Sequence, residues 1–156
     1  MSETVRLALG VLPFIALVAA AATTGAMFQP GPWYESLSKP WWTPPNWAFP
    51  VVWTTLYVMI AAAGWLVWRA EGLSLALGLW VVQLVFNAAW SWIMFSRREI
   101  ALALVDAVAM WVAILAFIVV AWPISRTASL LFLPYIAWVS TAIALNWSVL
   151  ARNPQA

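Results

Sequence analysis

The chain contains 156 residues, of which 66% are hydrophobic, 8% are charged and fourteen are tryptophan. A soluble domain of this length could not bury so much apolar surface, so the composition predicts that lipid surrounds most of the chain. The absence of cysteine and histidine, with Lys39 as the only lysine, disfavours disulfide scaffolds, common metal sites, Ser-His-Asp hydrolases and a buried Schiff base. Its seven basic residues are scattered and the net charge is only +2, so nucleic acid is not an expected partner.

Five apolar stretches are long enough to cross a bilayer, which requires about 20 helical residues. Short polar connections separate the last four stretches, so neighbouring helices are expected to run antiparallel and pack side by side. The first stretch is too long for the apolar part of a signal peptide and is expected to be retained. We therefore predict an all-α integral membrane protein, a single five-helix bundle over residues 1–156. The predicted spans are 5–27, 47–69, 73–95, 100–122 and 128–150.

The one long connection, 29–46, is rich in proline and tryptophan. Proline fixes φ and lacks an N–H group, so this connection cannot form one continuous helix. The side chains of Trp33, Tyr34, Trp41 and Trp42 are too apolar for a fully solvated loop, and we predict a lid over one mouth of the bundle. The alternative is that these rings only join the belt of aromatic side chains at the level of the lipid headgroups.

Polar side chains inside the spans are the best indication of function, because they are costly in lipid and tend to face partners or a cavity. In the third span, Gln83 and Asn87 lie four residues apart on one helical face. Trp80 and Ser91 share this face, and Trp90 flanks it. The amide pair is therefore expected to point toward the axis of the bundle.

Two other spans carry comparable stripes of aromatic and polar residues. They consist of Trp53 and Tyr57 in the second span and of Tyr135, Trp138, Ala142 and Asn146 in the fifth. One interpretation is a slot that stacks a flat, mostly apolar molecule and orients it with Asn87 and indole N–H groups. The alternative is that the amides only hydrogen-bond between helices, as they do in many bundles without a ligand.

Asp106 is the only acid well inside a span. It is expected to accept hydrogen bonds from indole N–H groups or hydroxyls in a structural role. The alternative is a proton relay, which generally needs a chain of titratable groups.

A set of motifs resembles one known family. The first loop reads Trp33-Tyr34 and then Leu37-Ser-Lys-Pro-Trp-Trp-Thr-Pro-Pro-Asn-Trp47, and the second span contains Pro50-Val-Val-Trp53-Thr-Thr-Leu-Tyr57. The later spans contain Gln83-Leu-Val-Phe-Asn87-Ala-Ala-Trp90, Ala103-Leu-Val-Asp106, Pro134-Tyr135-Ile-Ala-Trp138 and Ala144-Leu145-Asn146. Over essentially its whole length the chain resembles the translocator protein family, which includes bacterial tryptophan-rich sensory proteins and mammalian peripheral-type benzodiazepine receptors.

The resemblance implies a five-helix protein of a bacterial membrane, usually a homodimer, with a ligand cavity roofed by the first loop. Family ligands are porphyrins such as protoporphyrin IX, haem, and drug-like isoquinoline or benzodiazepine-type compounds, with no obligatory cofactor. By motif position, the residues lining the cavity or its lid are Trp42, Pro44, Phe49, Trp53, Asn87, Trp90, Trp138 and Ala142. The stripes add Tyr57 to the ligand-binding set and predict a polar network of Gln83, Asp106, Tyr135 and Asn146.

The chain departs from the family pattern at two places. The cholesterol motif of mammalian members needs a tyrosine between Leu145 and Arg152, where this chain has Trp147, so cholesterol binding is not expected. The glycine pair of the third-span dimer contact in some members is represented by Gly78 with Val82. A dimer through small residues of this span, which also include Ser74, is still expected.

Three functions are compatible with these residues. The first is binding and sensing of tetrapyrroles, with the macrocycle stacked on Trp53 and Trp138 and its propionates near Lys39. The second is light-dependent breakdown of porphyrin, in which Trp53 and Trp138 donate electrons to the excited ring. The third is transport of porphyrin, sterol or drugs, which is disfavoured because the chain shows no internal repeat and no coupling-ion site. We rank binding and sensing first.

Overall fold

The computed structural model describes all 156 residues as helices and connections, without a β-strand. The helices are α1 (Glu3–Met27), α2 (Pro32–Ser36), α3 (Ala48–Glu71), α4 (Leu75–Ser91), α5 (Ile100–Ala121), α6 (Arg126–Leu131) and α7 (Leu133–Arg152). A π-helical turn, Trp92–Ser96, continues α4. Five helical segments are long and apolar enough to cross a membrane, which confirms the predicted all-α bundle with five spans.

Local sequence signals set several of the helix ends. The hydroxyls of Ser2, Ser74 and Ser125 each accept a hydrogen bond from a backbone N–H in the first turn of α1, α4 or α6. A serine at this position satisfies a donor that has no partner within the helix. Gly72 follows α3 with φ of 64°, a left-handed conformation that glycine adopts without a steric penalty.

The fifth predicted span, 128–150, is confirmed within one spanning segment, Arg126–Arg152, but a turn interrupts its helix. The chain forms α6, turns at Phe132 and restarts as α7, with Pro134 in the first turn of the new helix. Proline has no N–H group and its ring collides with the carbonyl four residues earlier, so a helix cannot run through this position undisturbed. Pro13 lies inside α1, which nevertheless remains one helix.

The bundle has two ends. The loop end contains residues 28–47, the connection between α4 and α5, and the C-terminal turn of α7; the opposite end contains the start of α1 and the other two connections. Helix α1 packs against α3 and α4, while α5 packs against α4 and α7. Both halves of the last span pack against α5, and α6 packs against α3 as well.

Apolar side chains form two buried clusters. The larger one includes Trp80, Phe117 and Phe132, and the smaller one lies at the loop end around Ile93, Met94, Ile100, Ala103, Leu145 and Val149. Within the larger cluster the Trp80 ring lies against the backbone of α3, where its indole N–H donates to the Ile60 carbonyl at 2.8 Å. A Cβ at Gly64 would lie only 2.5 Å from the Trp80 ring, so this contact requires glycine.

Most basic side chains lie over an aromatic ring at one end of the bundle. The opposite end has Arg69 over Trp65 and Arg126 over Trp122, and the loop end has Lys39 over Tyr34, Arg97 over Trp92 and Arg98 over Trp33. Tryptophan and basic side chains both favour the interface between hydrocarbon and headgroups. The pairs therefore mark the two boundaries of the membrane-spanning region.

Candidate ligand site

Aromatic side chains from α3 and α7 meet in one group. Trp53 and Tyr57 lie one turn apart on α3 and stack, with their ring centroids 5.4 Å apart. Tyr135 of α7 meets Trp53 in an edge-to-face arrangement at 6.3 Å. Trp138, nearly one turn further along α7, meets Phe49 in the same manner at 5.6 Å. The aromatic stripes of the second and fifth spans therefore face each other.

A chain of hydrogen bonds beside these rings joins α3, α4 and α7. The Tyr57 hydroxyl donates to Asn87 Oδ1 at 3.1 Å, and Asn87 Nδ2 donates to the Tyr135 hydroxyl at 2.9 Å. The Tyr135 hydroxyl donates to Gln83 Oε1 at 2.7 Å, and Gln83 Nε2 donates to the Trp80 carbonyl at 2.7 Å. Asn87 and Gln83 are both buried, so the amide pair faces the interior, as its spacing predicts. We call this chain the polar network.

The polar network uses most of its own hydrogen-bonding capacity. Both Asn87 side-chain atoms already have partners within the bundle, which agrees with the interpretation of the amides as links between helices. A carbonyl oxygen has two lone pairs, so Asn87 Oδ1 can still accept a second hydrogen bond. Asn87 Oδ1 therefore keeps one acceptor position that no protein group uses.

An open groove of about 450 Å³ lies between α3 and α7. The backbone of α3 packs mainly against α1 and α6 and that of α7 against α5, so α3 and α7 touch through their aromatic side chains and part of the space between them stays open. Its volume lies within the range of about 300–1,000 Å³ that is typical of ligand pockets. The lining is mainly apolar and consists of Val51, Val52, Thr55, Leu56, Met59, Pro134, Ala137, Trp138 and Thr141. Trp138 thus belongs both to the groove and to the aromatic group.

Trp90 and Asn146 form a second polar group within the smaller core cluster. Trp90 Nε1 donates to Asn146 Oδ1 at 3.2 Å, and Asn146 Nδ2 donates to the Ile100 carbonyl at 3.0 Å. Phe95 of the π-helical turn meets the Trp90 ring edge-to-face at 5.5 Å. Ala142 lies half-buried on α7 between Trp138 and Asn146 in the sequence. The structure thus divides the predicted site residues between two groups along α7.

The first part of the first loop covers the loop end. Tyr34 of α2 meets Phe95 edge-to-face at 5.4 Å, and burial raises the pKa of its hydroxyl. Asn153 fixes the segment that follows, because its side chain accepts from the Ser38 N–H and donates to the Ser38 carbonyl, both at 2.9 Å. These contacts hold residues 34–38 against the loop end of the bundle.

The second part of the loop points outward. Trp41 is 93% exposed and Trp42 is 38% exposed, while Pro44 is half-buried. These two rings fit the alternative interpretation, in which interfacial tryptophan joins the headgroup belt. The Lys39 ammonium donates to the carbonyls of Glu35 and Leu37, so it is held within its own loop.

Asp106 differs from its expected role. Its side chain is buried on α5, but its Oδ2 atom has no hydrogen-bond partner. The expectation that indole or hydroxyl groups donate to this carboxylate is therefore wrong for that oxygen. The indole donors of this region are used elsewhere, since Trp90 donates to Asn146 and Trp80 donates to a backbone carbonyl.

The sequence analysis did not identify two residues that contact the loop or the polar network. Asn153 lies just beyond the last predicted span, and an asparagine at a helix C-terminus is a known end signal that could have been noticed. Met110 places its sulfur 3.4 Å from the Tyr135 hydroxyl. No sequence pattern distinguishes this methionine from an ordinary core residue.

Comparison with known proteins shows similarity over most of the chain. The model of the TspO/MBR family matches residues 14–152. The chain is 38% identical over 142 residues to the tryptophan-rich sensory protein of Cereibacter sphaeroides, covering 91% of this chain and 90% of that protein. It is 41% identical to protein CrtK of Rhodobacter capsulatus, covering 87% and 88%, and 37% identical to the human translocator protein, covering 78% and 75%.

Proposed function

Because the chain belongs to the TspO/MBR family and is a multi-pass membrane protein of the receptor or sensory kind, we propose that it binds porphyrins and drug-like aromatic compounds between α3 and α7. The observation that carries the proposal is the position of Trp138, which lines the groove and also contacts the aromatic group. A flat apolar ring entering the groove would stack on this indole. Occupancy of the site would then report, and so regulate, the level of tetrapyrrole in the membrane.

The chemistry of the site favours a flat ligand without a metal ion that the protein would have to coordinate. Its walls offer apolar and aromatic surface, and its two threonine hydroxyls, Thr55 and Thr141, already donate to carbonyls of their own helices. The chain has no histidine or cysteine to act as a usual axial ligand of haem iron. Metal-free protoporphyrin IX is therefore expected to bind at least as tightly as haem.

The test is a titration followed by the Soret absorbance of the porphyrin, with Trp138→Ala compared with Trp147→Ala. Trp147 lies on the same helix but is 63% exposed, so its replacement controls for the loss of an indole. We expect Trp138→Ala to weaken binding about tenfold, the equivalent of about 1.4 kcal/mol, and Trp147→Ala to change it less than twofold. Equal affinities of the two variants, or a low-spin bis-ligated haem complex, would contradict the proposal.

A second candidate function is light-dependent breakdown of the bound porphyrin. It is supported by the stacking of Trp53 on Tyr57 and the approach of Tyr135, which place oxidisable rings within about 6 Å of one another. The protein would supply electrons to the excited macrocycle and hold it near oxygen. Illumination of the complex should bleach the Soret band more slowly when Trp53 and Trp138 are both replaced by phenylalanine. Bleaching at an unchanged rate would eliminate this function.

We also propose that two copies associate through α4. Gly78 has no neighbouring atom within 4 Å of its would-be Cβ, and Val81, Val82 and Val85 are exposed on the same helix. Small residues on a spanning helix permit close approach of a second backbone. Crosslinking of a Val82→Cys variant in membranes should trap a dimer, whereas an Ala101→Cys variant on α5 should stay monomeric.

A further inference from the structure

A second hollow lies at the loop end, on the outer side of α5. Its volume is about 490 Å³, and it separates the start of α5 from the end of the chain. The residues that line it are Arg98, Glu99, Ile100, Ala101, Leu102, Val105, Leu150 and Ala156. It shares no lining residue with the groove between α3 and α7, so an occupant here would be independent of the proposed porphyrin site.

The hollow combines an apolar floor with a charged mouth. Ala101, Leu102 and Val105 are exposed residues of a membrane-spanning helix, so they face hydrocarbon rather than water. Arg98 and Glu99 precede that helix at the interface with the headgroups. An amphipathic molecule fits this hollow, with its hydrocarbon chain on the apolar floor and its ionic headgroup at the charged mouth.

Arg98 is the cation at this end without a polar partner in the protein. Arg97 is paired with Glu99 through two guanidinium nitrogens, Lys39 donates to carbonyls, and Arg152 donates to the Ser148 hydroxyl. The Arg98 guanidinium instead lies over the Trp33 ring, 5.8 Å from its centroid. Its donors remain free to bind an anion.

The balance of charge favours an anionic partner. The carboxylate of Glu99 is paired with Arg97, so no acidic side chain pairs with Arg98 at the mouth. Guanidinium groups bind phosphate oxygens with paired N–H donors, which makes arginine a common phosphate ligand in proteins. Basic pockets between spanning helices bind anionic lipid headgroups in the same way.

We propose that this hollow binds one anionic glycerophospholipid, with its phosphate at Arg98 and an acyl chain along Ala101, Leu102 and Val105. A zwitterionic phospholipid carries its own ammonium group, which Arg98 repels, so it binds less tightly. Arg98 also lies over the Trp33 ring of the first loop, so a lipid bound to this arginine acts on a contact that joins the loop start to the bundle.

The experiment uses the full chain purified in detergent micelles and examined by native mass spectrometry. Phosphatidylglycerol and phosphatidylcholine with identical acyl chains are added together, and the retained ratio is measured. We expect the anionic lipid to be retained about fivefold more, in line with roughly 1 kcal/mol for one basic residue near a lipid surface. Arg98→Gln should bring the ratio close to one.

Arg126→Gln is the matched control. Arg126 lies 5.3 Å from the centroid of the Trp122 ring at the opposite end, in an equivalent contact that lines neither hollow. It should leave the ratio unchanged. A third variant, Val105→Trp, fills the floor of the hollow and should lower retention of both lipids.

Three results would overturn the proposal. Equal retention of the two lipids by the unaltered chain would remove the preference for an anion. An equal loss of preference in Arg98→Gln and Arg126→Gln would reduce the effect to overall charge. Displacement of the lipid by millimolar glycerol 3-phosphate would identify a small-anion site without a role for the acyl chain. If Arg98→Gln fails to fold, Arg98→Lys should retain the preference, and its loss there would count against the phosphate contact.

Discussion

The Asn87 amide and the Tyr135 hydroxyl are joined by a hydrogen bond of 2.9 Å that connects α4 to α7 in the buried centre of the bundle. The same hydroxyl donates to Gln83, so it acts as acceptor and donor at once. Because both amide partners are buried, neither can exchange this hydroxyl for water. Removing the hydroxyl therefore leaves a donor and an acceptor unsatisfied.

Replacing Tyr135 with phenylalanine tests that relationship. We expect a loss of about 1–3 kcal/mol in the free energy of unfolding, because two buried polar groups lose their partner. Tyr57→Phe is the control: it removes the single hydrogen bond from that hydroxyl to Asn87 at a position that is less buried, and it should cost less. Unfolding by sodium dodecyl sulfate, followed by circular dichroism, measures both. A larger effect of Tyr57→Phe would contradict the assignment.

Gly64→Ala should strongly destabilise the fold of the single protomer, whereas Gly78→Ala should not. An added Cβ at Gly64 meets the Trp80 ring at 2.5 Å, and that ring is held by its bond to the Ile60 carbonyl. Overpacking of this kind costs roughly 1–3 kcal/mol. An added Cβ at Gly78 meets nothing within 4 Å. Thermal unfolding of the two variants in the same detergent should give a lower melting temperature for Gly64→Ala. Similar melting temperatures would contradict the prediction.

Asp106→Leu should stabilise the bundle. The carboxylate is buried and its Oδ2 atom lacks a partner, so the native chain carries a desolvation penalty without a compensating bond. A buried polar group without a partner costs about 1–3 kcal/mol, and an apolar side chain of similar size removes that cost. Asp106→Asn retains the shape of the side chain, and its stability should lie between that of the unaltered chain and that of Asp106→Leu. Loss of stability in Asp106→Leu, measured by thermal unfolding, would indicate a partner that the structure does not contain.

Asn153→Ala should release the first loop without unfolding the spans. The Asn153 side chain makes both hydrogen bonds that fix Ser38 to the end of α7. Without them, hydrogen exchange at residues 36–46 should become faster, while exchange within α3 and α5 stays slow. Limited proteolysis of the loop gives an independent measurement. Asn46→Ala, an exposed asparagine in the same loop, serves as the control.

The sequence predicted the bundle well because the spanning helices carry long apolar runs with few charges. The inward position of Gln83 and Asn87 also followed from spacing, since lipid excludes an amide from the outer face. Pro134 also marks the break at Phe132 in the sequence, because proline is tolerated in the first turn of a helix but not in its interior.

The site was harder to predict than the fold. Spacing placed Trp90 and Asn87 beside each other on one helix. Only the three-dimensional packing shows that Asn87 bonds Tyr135 whereas Trp90 bonds Asn146, at a different depth of α7. The unpartnered state of Asp106 could not be predicted either. Which indole reaches a carboxylate depends on helix rotation, which composition does not determine.

The polar network at Tyr135 and the Trp90–Asn146 pair together fix how far α7 is shifted along its axis relative to α4. Apolar contact alone would tolerate sliding of α7 by one turn, because one leucine or valine can replace another. Such a slide of about 5.4 Å would separate Tyr135 from Gln83 and Asn146 from Trp90 together. The paired amides and aromatic donors thus select a single axial position of α7 relative to α4.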